Sequence, residues 1–308
     1  MSDRSGIEWT DATWNPVTGC SEVSPGCDRC YAKAFAERFR GTEGHYYQRG
    51  FDVVLRPEKL DQPIRWTRPR LVFVNSMADL FHQAVPDDYI ARVFAVMAQA
   101  PQHTFQLLTK RHARMRHLLN AEPFRAKVFH HGGGMTWPLP NVWVGVSAEN
   151  QQWWDTRVEY LLGTPAAVRW VSLEPLLSHI TMGSPWSLDP ETFRFTGIDW
   201  VVVGGESGTG ARPMHPQWAR SLRDQCAAAK VPFLFKQWGN WAPAQSHGAP
   251  PDKNDRLVFQ DGTSIRLGHA GRQQLERWDY VVMHRAAKKS HGRLLDGQLH
   301  DQYPAVTA

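Results

Sequence analysis

Seven short apolar runs recur along this chain with amphipathic segments between them, and that rhythm constrains the fold more than any other feature. The runs are Ala12–Val17, Leu71–Ser76, Thr104–Thr109, Val142–Ser147, Val168–Leu173, Trp200–Gly204 and Pro232–Lys236. They are nearly continuous rather than alternating, the pattern of parallel strands covered on both faces. The segments between them, AKAFAERF after Cys30, DDYIARVFAVMAQA from Asp87, RHARMRHLL from Arg111 and HPQWARSLRDQCAAAK from His215, space apolar residues three to four apart. Asp87 and Asp88 suit a first helical turn, and Pro216 suits a helix start. Repeated βα units predict an α/β fold, a partial or complete parallel (β/α) barrel of the TIM-like type. A chain of 308 residues, 42% hydrophobic and 21% charged, can fill one such core, which argues against wholesale disorder.

The barrel is expected to occupy residues 1–239, with a cysteine-bearing loop at 19–31. Residues 240–308 turn polar and are expected to form an irregular C-terminal extension packing on the barrel. Two Gly/Pro/Ser-punctuated stretches, His130–Asn141 and Met182–Gly197, read as loops rather than linkers. No run approaches the roughly 20 apolar residues of a membrane span, and MSDRSGIEWT lacks a signal-peptide layout, so a cytoplasmic location with no membrane partner is expected. Lys and Arg exceed Asp and Glu by 35 to 30, a mild bias that favours phosphate-bearing partners without requiring them.

Three of the four cysteines, Cys20, Cys27 and Cys30, fall within TWNPVTGCSEVSPGCDRCYA, between the first strand and the first helix. In a reducing compartment such spacing suits metal ligation better than a disulfide framework. Three thiolates without an adjacent fourth suit a [4Fe–4S] cluster that leaves one iron open. Structural zinc, with His45 or Cys226 as fourth ligand, and unligated cysteines are the alternatives. Cys226, inside LRDQCAAAK, reads as a small buried residue. The fourteen histidines form no helical ligand pair, so a second metal site is not expected.

Nearly every run ends in polar residues, where a parallel barrel places its chemistry. They are Asn75, Ser76 and Asp79; Thr109, Lys110 and Arg111; Ser147, Glu149 and Asn150; Glu174; Glu206 and Ser207; and Lys236 and Gln237. Asn75, Lys110, Glu149 and Lys236 are candidate substrate contacts. Glu174 and Glu206 can hold an ammonium or a ribose hydroxyl. Gly204 and Gly205, in GGESG, let backbone approach a ligand, or make a tight turn. The cations Lys110, Arg111, Lys236 and Arg212 either grip an anion or pair with Glu149, Glu174 and Glu206. Asp79 and His82 bind or else anchor the following segment. Tyr31, Trp14, Trp143 and Trp238 shield a cluster and stack on an adenine, or fill the core.

The blocks TWNPVTGCSEVSPGCDRCYA, FVNSMADLFH, LLTKR, NVWVGVSAEN, SLEPLL, VVVGGESG-x2-ARPM, FLFKQWG and GRLLDG, spread from Ile7 to about Gly297, resemble those of a phage-associated family of uncharacterised three-cysteine proteins. That family is itself similar to radical S-adenosylmethionine enzymes. The resemblance implies a partial barrel of the radical-enzyme type, a cluster on Cys20, Cys27 and Cys30, and S-adenosylmethionine chelating the open iron through its methionine part. Tyr31, Gly204, Gly205, Glu206 and Glu174 would border that cosubstrate, and an external electron donor would be a partner. The first gap is C-x6-C, where the commonest radical enzymes have C-x3-C. The implied activity is reductive cleavage of S-adenosylmethionine on behalf of an unidentified substrate, with a nucleotide or nucleic acid suggested by the charge bias and the family. Its rival is a non-catalytic nucleic-acid or protein-binding module with a structural iron–sulfur or zinc site. A zinc hydrolase is weaker, lacking an H-E-x-x-H pattern.

Overall fold

A computed structural model describes residues 5–183, 197–247, 250–285, 290 and 292–305. Most of the loop expected at Met182–Gly197 lies outside the described residues. All seven apolar runs become strands of one sheet: β1 (Ala12–Trp14), β2 (Leu71–Val74), β3 (Thr104–Thr109), β4 (Val142–Ser147), β5 (Val168–Leu173), β6 (Trp200–Gly204) and β7 (Phe233–Gln237). They lie side by side in chain order, and every neighbouring pair with a described register is parallel. The strand order ends at β7 without returning to β1, so the sheet is open and the complete barrel is set aside.

β1 is shorter than expected because Pro16 has no N–H to give a ladder. Val17–Thr18 pairs antiparallel with Val54–Leu55 instead. β2 stops at Val74 because Asn75 takes a left-handed conformation, φ 61°. The free edge of β7 is covered by the chain's own tail: Phe235 donates its N–H to the His300 carbonyl at 3.0 Å, and Gln302 to that of Phe233 at 3.3 Å. Pairing an edge in this way removes a template for aggregation.

Six helices accompany the sheet: α1 (Tyr31–Glu37), α2 (Asp87–Gln99), α3 (His112–Asn120), α4 (Glu122–His130), α5 (Gln151–Leu162) and α6 (Pro216–Ala229). In α2 the two acids occupy the first turn, and Ile90, Val93, Phe94 and Met97 are buried. Each such side chain contributes about 1.5–3 kcal/mol on leaving water. No described helix is long and apolar enough to cross a membrane.

The chain divides into two compact units. One is Met1–Ser147 with Arg157–Trp170; the other is Ala148–Thr156 with Val171–Ala308. The boundary expected at residue 239 falls inside the second. In the first unit Trp9 packs edge-on to Phe73 and Trp170, with ring centroids 4.7 and 5.1 Å apart. Gly145 makes room for that cluster, since a Cβ there would lie 2.6 Å from the Trp170 indole.

In the second unit the C-terminal extension is not irregular. Trp241–Pro243, Tyr280–Arg285, Arg256–Phe259 and Ser264–Arg266 form a four-stranded antiparallel sheet in that order. Two of its strands are only three residues long, too short to show a period, while Leu257–Phe259 and Tyr280–Met283 are apolar runs within an otherwise polar stretch. The turn at Asp261 and Gly262 shows why the hairpin closes: Gly262 adopts φ +91°, and the Asp261 carboxylate accepts from the Thr263 N–H and hydroxyl at 2.9 and 2.7 Å.

Helix α6 begins on His215, whose Nδ1 accepts the Gln217 N–H at 3.1 Å. Burial pushes this imidazole down from 6.5 to about 4. Between those values the unfolded chain binds a proton that the folded chain resists. The stabilisation is therefore complete above pH 6.5 and declines as pH falls toward 4. His215→Asn keeps a capping acceptor that does not titrate, and is expected to flatten thermal stability across that window, as measured by melting at successive pH values.

Candidate functional site

In the first unit the chain leaves β1, turns at Gly19 and enters the cysteine loop. Gly19 has φ +86°, and a Cβ there would lie 2.0 Å from the Asp52 carbonyl oxygen, so only glycine fits. Cys27 closes a short 3-10 turn from Pro25, and Cys30 caps α1. Cys20 and Cys30 rest against Ala32, Ala36, Tyr47 and Phe51. All three thiols are free and partly exposed. The loop thus holds the three expected ligands at the C-terminal end of the first strand. Among the described residues, however, no three Cys, His, Asp or Glu side chains are gathered closely enough to hold a metal ion. Loading a cluster requires the thiols to draw together.

Arg111, at the end of β3, reaches this loop: its guanidinium donates to Cys20 Sγ at 3.6 Å and to the Ser21 carbonyl and hydroxyl at 3.1 and 2.9 Å. Ser21 Oγ lies 2.9 Å from His82 Nε2. Burial, ahead of the Arg111 charge, lowers the His82 pKa and favours its neutral form. Asp79 binds the Thr109 hydroxyl at 2.7 Å, the Lys110 N–H at 3.0 Å and the Phe81 N–H at 3.0 Å. Asp79 is therefore an anchor that fastens the segment after β2 to the end of β3. Burial, with the Asp79 charge adding to it, pushes the Cys20 thiol up to about 11 against the opposing effect of Arg111. Cys20 is then a neutral thiol, and a metal binding it must displace a proton.

Of the two neighbouring cations at the end of β3, it is Arg111 that contacts the cysteine loop. The signal was present in the run Thr109-Lys110-Arg111, but the sequence does not say which cation turns toward the loop. Tyr31 is 56% exposed, and its hydroxyl donates to the Ser76 carbonyl at 2.6 Å, so it ties α1 to the segment after β2 rather than filling the core. Asn75 is buried. Its Oδ1 accepts the Val17 N–H at 3.2 Å, while its Nδ2 finds no acceptor among the described residues. The buried Nε of Arg111 makes no hydrogen bond and lies 4.0 Å from Asp79 Oδ2 in an ion pair. Trp14 is fully buried, its indole N–H donating to the Lys59 carbonyl at 2.7 Å, and Trp143 is buried, so both belong to the core.

These observations test the fit of an iron–sulfur group. Three thiols supply the donor chemistry, a guanidinium beside Cys20 offsets negative charge, and the buried Asn75 Nδ2 is open to an acceptor such as sulfide or carboxylate. The residues fit by donor type and count. The proposed zinc alternatives fare worse. His45 stacks on Phe39 at 3.9 Å and spends Nδ1 on the Tyr47 N–H, and Cys226 is fully buried in α6 with its thiol pushed up to about 12.

In the second unit, Glu174 accepts from Lys236 Nζ and from the Gln237 side-chain amide, each at 2.7 Å. Glu206 holds Arg212 at both carboxylate oxygens, at 2.6 and 2.9 Å, and also accepts the Arg212 N–H at 2.7 Å. Lys236 and Arg212 are thus ion-paired with Glu174 and Glu206. Glu149 is buried, and its carbonyl accepts the Leu177 N–H at 2.8 Å. Asn150 caps α5 by accepting the Trp153 N–H at 3.1 Å. Gly204 faces the Glu174 carboxylate, 3.1 Å from where its Cβ would be. At Gly205 a Cβ would lie 2.0 Å from the Trp238 carbonyl oxygen, so the backbone of that segment packs directly against this glycine. Trp238 is buried, its indole N–H bound to the Leu294 carbonyl at 2.9 Å.

The Glu174–Lys236 pair has side chains only 18% and 12% exposed. Lys236→Met is expected to cost about 2–3 kcal/mol by stranding a carboxylate, and Glu174→Gln in the same chain to restore most of it. A double-mutant cycle from denaturant unfolding measures the coupling.

The fold and this geometry define a parallel α/β protein with a three-cysteine loop after its first strand. The chain belongs to the family described as Protein of unknown function (DUF5131), which matches residues 4–304. No curated protein matches it. Among solved structures it is similar to spore photoproduct lyase complexed with dinucleoside spore photoproduct, at 9% identity and a TM-score of 0.36, over 89% of this chain and 68% of that one.

Proposed function

We propose that this protein is an iron–sulfur enzyme of the radical S-adenosylmethionine type, acting on a substrate of nucleotide or nucleic-acid class. The observation that carries the reading is the set of three free cysteines on one loop at the C-terminal end of the first parallel strand, with no fourth cysteine on that loop. Cys20, Cys27 and Cys30 would hold a [4Fe–4S] cluster. When bound, that group and S-adenosylmethionine supply one-electron reductive cleavage of the sulfonium, the electron coming from an external donor.

The chain's own residues do the rest. Arg111 holds Ser21 and faces Cys20, fixing the first ligand-bearing turn. Asp79 secures the strand end that carries Arg111. Asn75 Nδ2 offers a buried donor to a cosubstrate or substrate oxygen. In the second unit Glu174 and Glu206 are carboxylates already oriented by Lys236 and Arg212, arranged to receive ammonium or hydroxyl groups of a ligand at their remaining lone pairs. Lys110 and Glu149 complete the proposed substrate contacts.

The test is anaerobic reconstitution with iron and sulfide, reduction with dithionite, and chromatography of the nucleosides. Methionine and 5′-deoxyadenosine in equal amounts are the expected products, formed slowly even without substrate. Cluster-loaded protein that yields neither, across several reductants and candidate nucleotides, would leave the binding module with a structural cluster as the better reading.

A further inference from the structure

The chain's whole charge excess lies in one segment. Between Arg266 and Arg293 there are seven Lys and Arg and two Asp and Glu, a difference of five that equals the formal +5 of all 308 residues. Two of those cations, Lys288 and Lys289, lie outside the described residues. Of the described ones, Arg272, Arg277 and Arg293 are paired with Glu276, with Asp261 and Asp279, and with Asp301, while Arg266 and Arg285 lie in the C-terminal antiparallel sheet, where the register sorts them by face.

Residues directly opposite in an antiparallel pair share a face, and so do residues two apart on one strand. Arg256 is opposite both Arg266 and Met283, and Arg285 is opposite Trp241. Arg256, Arg266 and Arg285 therefore share one face near one end of the sheet. The guanidinium carbons of Arg256 and Arg285 each lie 5.8 Å from the Trp241 ring centroid. Arg266 and Arg285 are exposed and Arg256 is half-buried. Asp255, the carboxylate next along the chain, belongs to the opposite face, where it binds His284 at 2.8 Å. Among the described residues none of the three arginines has a carboxylate partner. Arg256 donates to the Ser264 hydroxyl at 2.8 Å, a neutral acceptor.

Like charges directly opposite on a sheet repel, so a face that gathers three guanidinium groups without an acid is costly unless an anion compensates it. We propose that this face is a docking surface for the sugar–phosphate backbone of nucleic acid. Guanidinium forks match phosphate oxygens in pairs. The apolar residues between the arginines, Met283 and Val258, are buried, so the face does not offer the exposed apolar side chains a lipid surface engages. The inference extends the nucleotide-class substrate proposed above, but it is read by binding alone. Failed cleavage and failed binding are thus separate results.

The experiment measures anisotropy of fluorescein-labelled oligothymidine and oligouridine with the full chain over a salt series. Arg256→Gln/Arg266→Gln/Arg285→Gln is expected to weaken binding at least tenfold at low salt, and to make the slope of log affinity against log salt shallower by about 2, as the loss of three phosphate contacts requires. Should the triple variant fail to fold, Arg266→Gln and Arg285→Gln, at exposed positions, are each expected to show a part of that loss. Arg65→Gln, an exposed charge in the first unit, should leave binding unchanged. Equal losses in Arg65→Gln, or an unchanged slope in the triple variant, would overturn the proposal. So would wild-type protein that binds phosphatidylserine vesicles but neither oligonucleotide.

Discussion

Cys20→Ala, Cys27→Ala and Cys30→Ala are each expected to abolish the iron and sulfide that the reconstituted wild type retains, at about four of each per chain, while Cys226→Ala retains the full complement. The three loop cysteines are free and partly exposed, whereas Cys226 is fully enclosed by the apolar face of α6 with its thiol pushed up to about 12 by burial. Only the loop thiols can reach a metal without unfolding a helix. The effect of each loop substitution should be near total, because two thiolates hold a cluster poorly. The measurement is colorimetric iron and sulfide together with the visible absorption of the cluster. Loss of iron from Cys226→Ala as complete as from Cys27→Ala would overturn the three-cysteine assignment and point to a four-cysteine site.

Gly205→Ala is expected to destabilise the protein by about 3 kcal/mol or to prevent folding, whereas Gly204→Ala, one residue away, costs about 1 kcal/mol or less. At Gly205 the added carbon would sit 2.0 Å from a backbone oxygen, and the contact is mutual. A Cβ at Gly239 would meet the Glu206 carbonyl oxygen, also at 2.0 Å. Two main-chain segments touch here through a pair of glycines, so neither can yield without moving a strand end. At Gly204 the neighbour is the Glu174 side chain, 3.1 Å away, which can shift. Thermal melting separates the cases, with a Tm drop of roughly 5 °C expected for Gly205→Ala. Equal stability of the two variants would show that the backbone approach is looser than described.

Much of the fold was legible because burial on two faces leaves a mark in sequence. Parallel strands must be apolar throughout, and all seven runs so marked became the seven strands in order. Their ends were less legible where backbone conformation intervened, at Pro16 and at the left-handed Asn75. The C-terminal sheet was not legible because its short strands, RLVF and YVVM among them, are embedded in polar, Gly- and Pro-containing segments that mask them. The three loop cysteines were legible by spacing. The partners of the polar strand ends were not, since Lys236 with Glu174 and Arg212 with Glu206 are matched by proximity, not by sequence distance.

The sequence by itself determined that this chain builds a parallel α/β sheet and carries three clustered thiols after its first strand, because hydrophobic periodicity and residue spacing are local properties. Tertiary structure alone decided that the sheet stays open, that Arg111 and not Lys110 touches Cys20, and that three arginines from separate strands share a face. Those outcomes depend on which segments pack together and in what register. That choice is made by the summed burial and pairing of distant residues, which no single stretch of sequence records.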